Sequence, residues 1–352
     1  MVLDLEKVSK WMEGSGPHAD IVISSRIRLA RNLKGIPFSN LMTKQHQVKV
    51  IEQVNNAINA PGVIQSVGKL NLYSLKELSP LERQILVEKH IISPELAEAQ
   101  GERAVVLRND DALSIMVNEE DHIRLQCLLP ALMLHEAWRL ADAADDAFEN
   151  ELEFSFDQQL GFLTSCPTNV GTGLRASTML HLPALVLTKQ AGKVLSALTK
   201  VGVAVRGLYG EGTESQGNLF QVSNQLTLGH SEEEIINNLS IVTVRLADQE
   251  REARELLRKQ NLWKLEDRIW RAYGVLTNAR ILSAQEALQL ISDVRLGVEM
   301  NILKSPDQRL LNQLMVQVQP AYLQLKNKKE MTPFDRDVYR AQMVRKLLAM
   351  PS

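Results

Sequence analysis

Alternation of apolar and polar residues predicts strands in the first two-thirds of the chain. Short runs rich in β-branched residues lie between helical segments, and they read DIVISSRIRLARN, RAVVLRND, ALSIMVNEED, VGVAVRGLYG and NLFQVSN. The second and third runs flank an Asp110-Asp111 turn, which is typical of a hairpin. We therefore expect an α+β fold in which an antiparallel sheet is flanked by helices.

From Ser231 onward the pattern is helical. The stretch SEEEIINNLSIVTVRLADQEREARELLRKQ is amphipathic and begins with a Ser-x-x-Glu capping box. Similar signals, a capping residue followed by a glutamate or by an N1 proline, predict further helix starts at Ser283 with Glu286, Ser305-Pro306 and Thr332-Pro333. We predict a division near residue 255, with an α+β domain over 1–255 and an all-helical domain over 256–352.

The composition is that of a soluble folded protein with room for two domains, since 45% of the 352 residues are hydrophobic and 23% are charged. The N-terminus has no basic segment followed by an apolar run, and no stretch approaches the roughly 20 apolar residues of a membrane span. These features predict a cytoplasmic protein with no membrane contact. The net charge of −2 argues against direct nucleic-acid binding.

The cysteines and histidines predict no structural metal. Two cysteines, Cys127 and Cys166, cannot build a disulfide framework, and the seven histidines lack zinc-ligand spacing. The HEAWR stretch at His135 does not match HExxH.

Cys166 stands in the stretch SCPTNVGTGLRAS, just ahead of a glycine-bearing turn and Arg175. A lone cysteine is most often a small buried hydrophobe. Hydroxyl groups, backbone N–H groups and a fixed positive charge nevertheless stabilise a thiolate, and the same groups bind phosphate oxygens. The glycines fit neither a Walker loop nor a dinucleotide fingerprint. A nucleotide site here would belong to neither common class.

Three further charged stretches accompany this one, and they read SSRIRLAR, VNEEDHIRL and VRGLYGEGTE. Arg26 and Arg28 alternate on a predicted strand, so both face one side of the sheet. Any single arginine here could be a surface charge or a salt-bridge partner, and NEED could be a solvated turn. Together with Arg124, Arg175 and Arg206, however, they offer several forked donors for a polyphosphate.

In this order and spacing, the motifs SSRIR, VNEEDH, CPTNVGTGLRAS, RG..GE and VSN resemble the ATP:guanidino phosphotransferases, the phosphagen kinase family of creatine and arginine kinases. The resemblance runs from about Ser24 to Asn224. It implies a phosphagen-kinase-like catalytic domain that uses ATP, with Mg²⁺ bridging the phosphates. The implied ATP-binding residues are Ser24, Ser25, Arg26, Ile27, Arg28, His90, Arg124, Arg175, Ala176, Ser177, Thr178, Met179, Arg206, Gly207 and Gly210.

The resemblance also implies that Glu120, Glu211 and Cys166 hold the guanidino group, with Glu119 beside them in the catalytic set. A guanidinium has a pKa above about 12 and lacks a free lone pair, so it must lose a proton before it attacks phosphorus. Glu120 is our choice for the base and Glu211 for a second clamp. A Cys166 thiolate would add negative charge near the guanidinium, and no covalent phosphoenzyme is needed.

Two departures from the small-substrate kinases bear on the substrate. Ser24 lies almost at the start of the chain, where those kinases carry a preceding helical domain that closes over free creatine or arginine, and the helical C-terminal part has no counterpart in them. This architecture is similar to that of the bacterial protein arginine kinases, a branch of the same family. That likeness implies arginine residues of proteins as substrates, a heat-shock repressor and unfolded proteins among them. It further implies an activator protein, delivery of marked proteins to a Clp-type protease, a role in stress response, and a homodimer.

Two alternatives stay open at this point. A free-arginine phosphagen kinase would need a substrate lid that the sequence does not reveal. A phosphoarginine-binding adaptor with a vestigial site would not need the acids and the cysteine, which are intact.

The last predicted helix, TPFDRDVYRAQMVRKLL, carries a candidate second site. Arg336 and Arg340 lie four residues apart on one face, with Asp337 three residues before Arg340 and Ala341 next to it. Phosphoarginine needs cations for its phosphoryl group and an acid for its guanidinium. We therefore predict a non-catalytic phosphoarginine pocket coupled allosterically to the kinase, and the alternative is a solvated, salt-bridged helix face.

Overall fold

The computed structural model describes residues 3–200, 202–207, 216–328 and 330–349. Within these residues, ten strands alternate with helices in the first part of the chain: β1 (Val22–Arg31), β2 (Leu70–Ser74), β3 (Ala104–Arg108), β4 (Leu113–Val117), β5 (Ile123–Pro130), β6 (Phe156–Asp157), β7 (Gly161–Phe162), β8 (Leu174–His181), β9 (Val203–Gly207) and β10 (Leu219–Asn224). Eight of them form one antiparallel sheet in the order β2-β3-β4-β5-β1-β8-β10-β9, and β6 pairs with β7 in a separate hairpin. The predicted antiparallel sheet is confirmed.

The helices surround this sheet and form the C-terminal region: α1 (Lys44–Ile58), α2 (Pro61–Val67), α3 (Pro80–Glu88), α4 (Pro94–Glu98), α5 (Leu134–Glu149), α6 (Pro183–Leu187), α7 (Ala191–Thr199), α8 (Glu232–Asn278), α9 (Ala284–Glu299), α10 (Gln308–Gln317), α11 (Pro320–Asn327) and α12 (Pro333–Leu348). None of the helices in the described part of the chain is both long and apolar enough to cross a membrane.

Three of the predicted helix starts are confirmed and one is wrong. The side chains of Ser231 and Thr332 close capping boxes at α8 and α12, and Ser283 accepts the Glu286 N–H at the start of α9. Helix α10 does not begin at Pro306. Asp307 caps it instead, because its carboxylate accepts the backbone N–H of Leu310 at 2.7 Å.

The two faces of the sheet differ in character. The inner side chains of β1, β5, β8 and β10 pack with α1, α2, α5 and the first half of α8 into the main core. On the opposite face the C-terminal helices cover an apolar patch at one end, formed by Ile23, Leu128, Met179 and Leu219. Near β3 and β4 that face packs against α3, α4 and α11. A polar stretch of sheet is left between these two apolar ends.

The predicted division at residue 255 falls inside α8. This helix runs from Glu232 to Asn278 and is interrupted only at Asn261, whose backbone is extended (φ −164°, ψ 81°). The second half of α8 packs with α9, α10 and α12 into the C-terminal core. The boundary stays a prediction, with the extended residue as the nearest break in the backbone.

Candidate active site

Four arginines meet on the polar stretch of the sheet. Arg26 and Arg28 alternate along β1, and Arg28 pairs across the ladder with Arg175 of β8. Arg124 of β5 lies opposite Ala30, one step from Arg28 along the same face. Burial, with the charges of Arg124 and Arg175, lowers the pKa of Arg26 to about 10, and burial with the neighbouring arginines lowers that of Arg28 well below its usual range. Such a crowded set of cations favours an anionic ligand.

The donors of this cluster are only partly satisfied by the protein. Arg26 donates to the side chains of Gln221 at 2.6 Å and Ser177 at 3.3 Å. Within the described residues, the buried Nε atoms of Arg28 and Arg175 have no hydrogen-bond acceptor. A buried donor without an acceptor costs free energy, so oxygen atoms of a ligand would stabilise both side chains.

Two cavities share Arg28, Glu120, Arg124 and Arg175 among their lining residues. The larger, of about 1110 Å³, is lined by all five predicted phosphate-binding arginines, Arg26, Arg28, Arg124, Arg175 and Arg206, together with His90. It is large enough for a nucleotide. The smaller has about 100 Å³, and we call it the reaction pocket; its lining residues are Arg28, Ala30, Glu120, Arg124, Cys166, Thr168, Asn169, Gly173 and Arg175.

The adjacent acids Glu119 and Glu120 have different environments. Burial would raise the pKa of Glu119, but the charge of Arg124 and hydrogen bonds from Ser93 and Arg124 outweigh it and lower that pKa. Arg124 Nη1 lies 2.6 and 2.7 Å from the two Glu119 oxygens. Burial first, and then the charge of Asp121, raise the pKa of Glu120. Glu120 is therefore the more basic carboxylate, and it is the one that lines the reaction pocket.

Cys166 lies beside Glu120 in the same pocket. Its Sγ is 3.0 Å from the Thr168 hydroxyl, and it also makes a side-chain hydrogen bond with Glu120. Cys166 belongs to the loop over residues 163–173, between β7 and β8, which we call the Cys166 loop. Asp121, in the acidic turn over residues 118–122, joins the two segments, because its Oδ1 accepts the N–H of Ser165 at 2.6 Å. The other cysteine, Cys127, lies fully buried in the core, where burial raises its pKa and leaves it a small hydrophobe.

His90 borders the larger cavity. Its backbone is left-handed (φ 59°), and its ring lies 5.5 Å from that of Trp11. Burial and the charge of Arg26 lower the pKa of His90 to about 4. The imidazole is therefore neutral at pH 7 and presents an uncharged ring to whatever fills the cavity.

Only some of the residues predicted in β9 and the following loop are among the described residues. Arg206 lines the larger cavity, and Gly207 ends β9. Gly210 and Glu211 lie outside the described residues, so the second acidic clamp stays a prediction.

Several residues predicted to bind ATP direct their side chains away from the cavity. The Ser25 hydroxyl donates to the Ala131 carbonyl oxygen at 2.8 Å, and that of Thr178 lies 3.0 Å from the Thr243 hydroxyl of α8. Buried side chains of the same group pack in the main core (Ile27 and Ala176) or in the C-terminal core (Met179), and Ser24 is buried without lining the cavity. A contact of these residues with ATP stays a prediction.

Among the described residues, three that the sequence reasoning missed also belong to the site. Ser93 donates to Glu119 at 2.6 Å and caps α4 by accepting the Leu96 N–H, so the Ser-Pro helix-start signal could have located it. Gln221 of β10 accepts a hydrogen bond from Arg26. The alternation of Gln221 with Ser223 in NLFQVSN is the sequence signal that could have located it. Asp121 stands within the quoted NEED stretch itself.

The C-terminal candidates lie together on α12. Arg340 is buried and donates to the carbonyl oxygens of Val318 and Leu282, each at 2.7 Å, and to Asp337 at 2.5 Å. Ala341 is also buried, whereas Arg336 and Asp337 are half-buried. Arg340 is thus not on a solvated helix face, and its contacts hold α12 to the neighbouring segments. Binding of phosphoarginine stays a prediction.

Comparison with known proteins agrees with this geometry. Residues 49–253 match the model of the ATP:guanido phosphotransferase C-terminal catalytic domain, and residues 263–352 match that of the protein-arginine kinase McsB C-terminal domain. The chain is 77% identical to a protein-arginine kinase of Moorella thermoacetica over 99% of this chain and 100% of that protein. It is 54% identical to a protein-arginine kinase of Pelotomaculum thermopropionicum over 97% and 96% of the two chains.

Solved structures agree on the fold. A lombricine kinase aligns with a TM-score of 0.56 at 24% identity, over 70% of each chain. The duplicated taurocyamine kinase from Schistosoma mansoni, solved with components of a transition-state analogue, aligns with a TM-score of 0.60 at 25% identity, over 81% of this chain and 40% of that one. The family matches and the two relatives show that the chain belongs to the ATP:guanido phosphotransferase family, as an ATP-dependent protein-arginine kinase.

Proposed function

We propose that the reaction pocket holds the guanidinium of a protein arginine, and that Glu120 accepts its proton as the γ-phosphoryl group of ATP is transferred. The observation that carries this proposal is the meeting of Glu120, Cys166 and three arginines around one cavity of about 100 Å³. A guanidino N–P bond forms, the bond between the γ-phosphorus and the β,γ-bridging oxygen breaks, and ADP leaves. The proton moves from the attacking nitrogen to the Glu120 carboxylate.

Glu120 suits this role better than Glu119 does. A base works best when its pKa is brought towards the operating pH, and the pKa of Glu120 is raised by burial and by Asp121. Glu119 already accepts hydrogen bonds from Arg124 and Ser93. In this assignment Glu119 orients Arg124, while Glu120 orients the substrate and accepts its proton.

Cys166 contributes negative charge without forming a bond to phosphorus. A thiolate next to the guanidinium would stabilise the cationic substrate, and the Thr168 hydroxyl 3.0 Å away can donate to it. Glu211 would be a second acidic clamp on the guanidinium, as the resemblance implies.

The arginine cluster binds the phosphates in this proposal. The unpartnered Nε atoms of Arg28 and Arg175 support that role, since they point to acceptors that a polyphosphate would provide. The described residues contain no group of three or more His, Cys, Asp or Glu side chains arranged for a metal ion. Mg²⁺ would accordingly bind to the phosphate oxygens of the nucleotide, where it neutralises part of their charge.

In the cell, we propose that phosphorylated arginines mark proteins for a Clp-type protease during stress, within the cytoplasm. The expected partners are a heat-shock repressor and unfolded proteins as substrates, an activator protein, and a second copy of the chain in a homodimer. The likeness to protein-arginine kinases over nearly the whole chain supports this role. We further propose that Arg336, Asp337, Arg340 and Ala341 form a phosphoarginine-sensing site on α12.

The activity on proteins is tested by incubating the enzyme and ATP with an unfolded protein and, separately, with free arginine. Mass spectrometry under conditions that spare acid-labile P–N bonds should detect phosphoarginine in the protein. Phosphorylation of free arginine alone would indicate the phosphagen kinase alternative. Binding of phosphoarginine without any transfer would indicate the adaptor.

A further inference from the structure

Four exposed apolar side chains stand on two segments next to the Cys166 loop. They are Phe156 (58% exposed), Leu160 (47%), Leu226 (59%) and Leu228 (52%), and we call them the apolar rim. Single exposed leucines are common, but two pairs beside one catalytic loop form a surface that a ligand can cover.

The first pair is carried by the β6–β7 hairpin, which is held tightly against that loop. The Phe162 N–H donates to the Gly171 carbonyl oxygen at 2.8 Å. A Cβ on Gly161 would come within 2.5 Å of the same oxygen, so this close approach requires glycine at residue 161. Phe156 packs edge-on against Phe162 with 5.2 Å between ring centroids, yet more than half of it is exposed. The hairpin thus has a fixed position against the loop that carries Cys166.

The second pair, Leu226 and Leu228, flanks Thr227, which is hydrogen-bonded to the Cys166 loop. The Thr227 hydroxyl donates to the carbonyl oxygens of Thr168 at 2.9 Å and Val170 at 2.7 Å. Because Thr227 is turned inward and is only 5% exposed, its neighbours Leu226 and Leu228 project outward.

A polar cavity of about 330 Å³ adjoins this second segment. It shares Thr168, Asn169 and Arg175 with the reaction pocket. Its remaining wall is rich in amide and hydroxyl groups, which match the hydrogen-bonding groups of a peptide backbone; the residues are Ala204, Arg206, Asn224, Gln225 and Thr227.

We propose that the apolar rim docks the apolar side chains that flank the target arginine in an unfolded, extended protein segment. The proposal rests on the assignment of the reaction pocket given above and adds the chemistry of the sequence around the target. Because an arginine side chain has a limited reach, the backbone that carries it must stay close to the mouth of the pocket when the guanidinium is inside. The residues on either side of that arginine then lie over the rim. Unfolded chains expose apolar residues on both sides of an arginine together, whereas folded surfaces expose them mostly singly.

The test uses two short peptides that each contain one arginine, flanked by leucines in one and by serines in the other. The parent enzyme should have a lower KM for the leucine-flanked peptide. The double variant Leu226→Ser/Leu228→Ser should raise that KM about tenfold and change the KM for the serine-flanked peptide less than about twofold. Phe156→Ser, measured separately, should act in the same direction. Ile64→Ser on α2 is the matched control, because Ile64 is 43% exposed and belongs to neither segment of the rim.

The outcomes distinguish a failure of docking at the apolar rim from a failure of the reaction-pocket assignment. Equal KM values of the parent for the two peptides, or an equal loss on both in the rim variants, would overturn docking at the rim. Unchanged melting temperatures must accompany the expected result, because a loosened Cys166 loop would affect both peptides alike. A parent enzyme that phosphorylates neither peptide nor an unfolded protein would instead contradict the proposed function itself.

Discussion

Glu119 and Glu120 are adjacent in sequence, yet the pKa of the first is lowered and that of the second is raised. Glu119 is fixed by Arg124 and Ser93, so Glu119→Gln should weaken the hold on Arg124 and leave buried donors poorly satisfied. We expect a lower melting temperature and a higher KM for ATP. Thermal unfolding measures the melting temperature and steady-state kinetics measures the KM. Parent values of both in the variant would show that the Glu119–Arg124 ion pair contributes neither to stability nor to ATP binding.

Cys166 should be needed for its charge and not for packing. Serine is nearly isosteric but stays neutral at pH 7, so Cys166→Ser should lower turnover sharply without lowering the melting temperature. Cys127→Ser is the contrasting variant, because a hydroxyl in that fully buried position would destabilise the fold. Retained activity of the first variant would make Cys166 a packing residue.

The phosphoarginine site on α12 is tested by replacing both Arg336 and Asp337 with alanine. We expect weaker binding of phosphoarginine and loss of any dependence of the kinase rate on added phosphoarginine. Arg340 is left in place because its contacts with Val318 and Leu282 hold α12. If the double variant binds phosphoarginine and responds to it as the parent does, α12 has a structural role and no sensing role.

Stability should depend on pH through Glu88. Its carboxylate accepts the N–H groups of Ala321 and Tyr322 at the start of α11, and burial raises its pKa to about 7. Between the unfolded pKa of about 4.3 and the folded pKa, the folded state binds the extra proton, so this group lowers the free energy of unfolding as pH rises through that window. Denaturant unfolding from pH 5 to 8 should show a smaller decline in Glu88→Gln than in the parent. An identical decline would contradict the assignment.

The sequence predicted those features that depend on local periodicity. Alternation placed Arg26 and Arg28 on one face, and capping signals located the starts of α8 and α12. The start of α10 was misplaced because the Ser305-Pro306 signal stands two residues before the residue that caps the helix, Asp307, whose carboxylate accepts the Leu310 N–H. No local pattern distinguishes Glu119 from Glu120. Their difference comes from Arg124 on β5 and from Ser93, which is distant in sequence.

The central claim, that Glu120 is the base, is tested most directly with Glu120→Gln. Phosphoarginine formed on an unfolded protein is quantified by mass spectrometry that spares P–N bonds, and nucleotide affinity is measured by calorimetry on the same preparation. We predict a loss of transfer of about 10²-fold or more with nucleotide affinity close to that of the parent, because the proposal assigns the phosphates to the arginines and not to Glu120. Near-parent transfer, or a loss that merely follows weakened nucleotide binding, would contradict the claim.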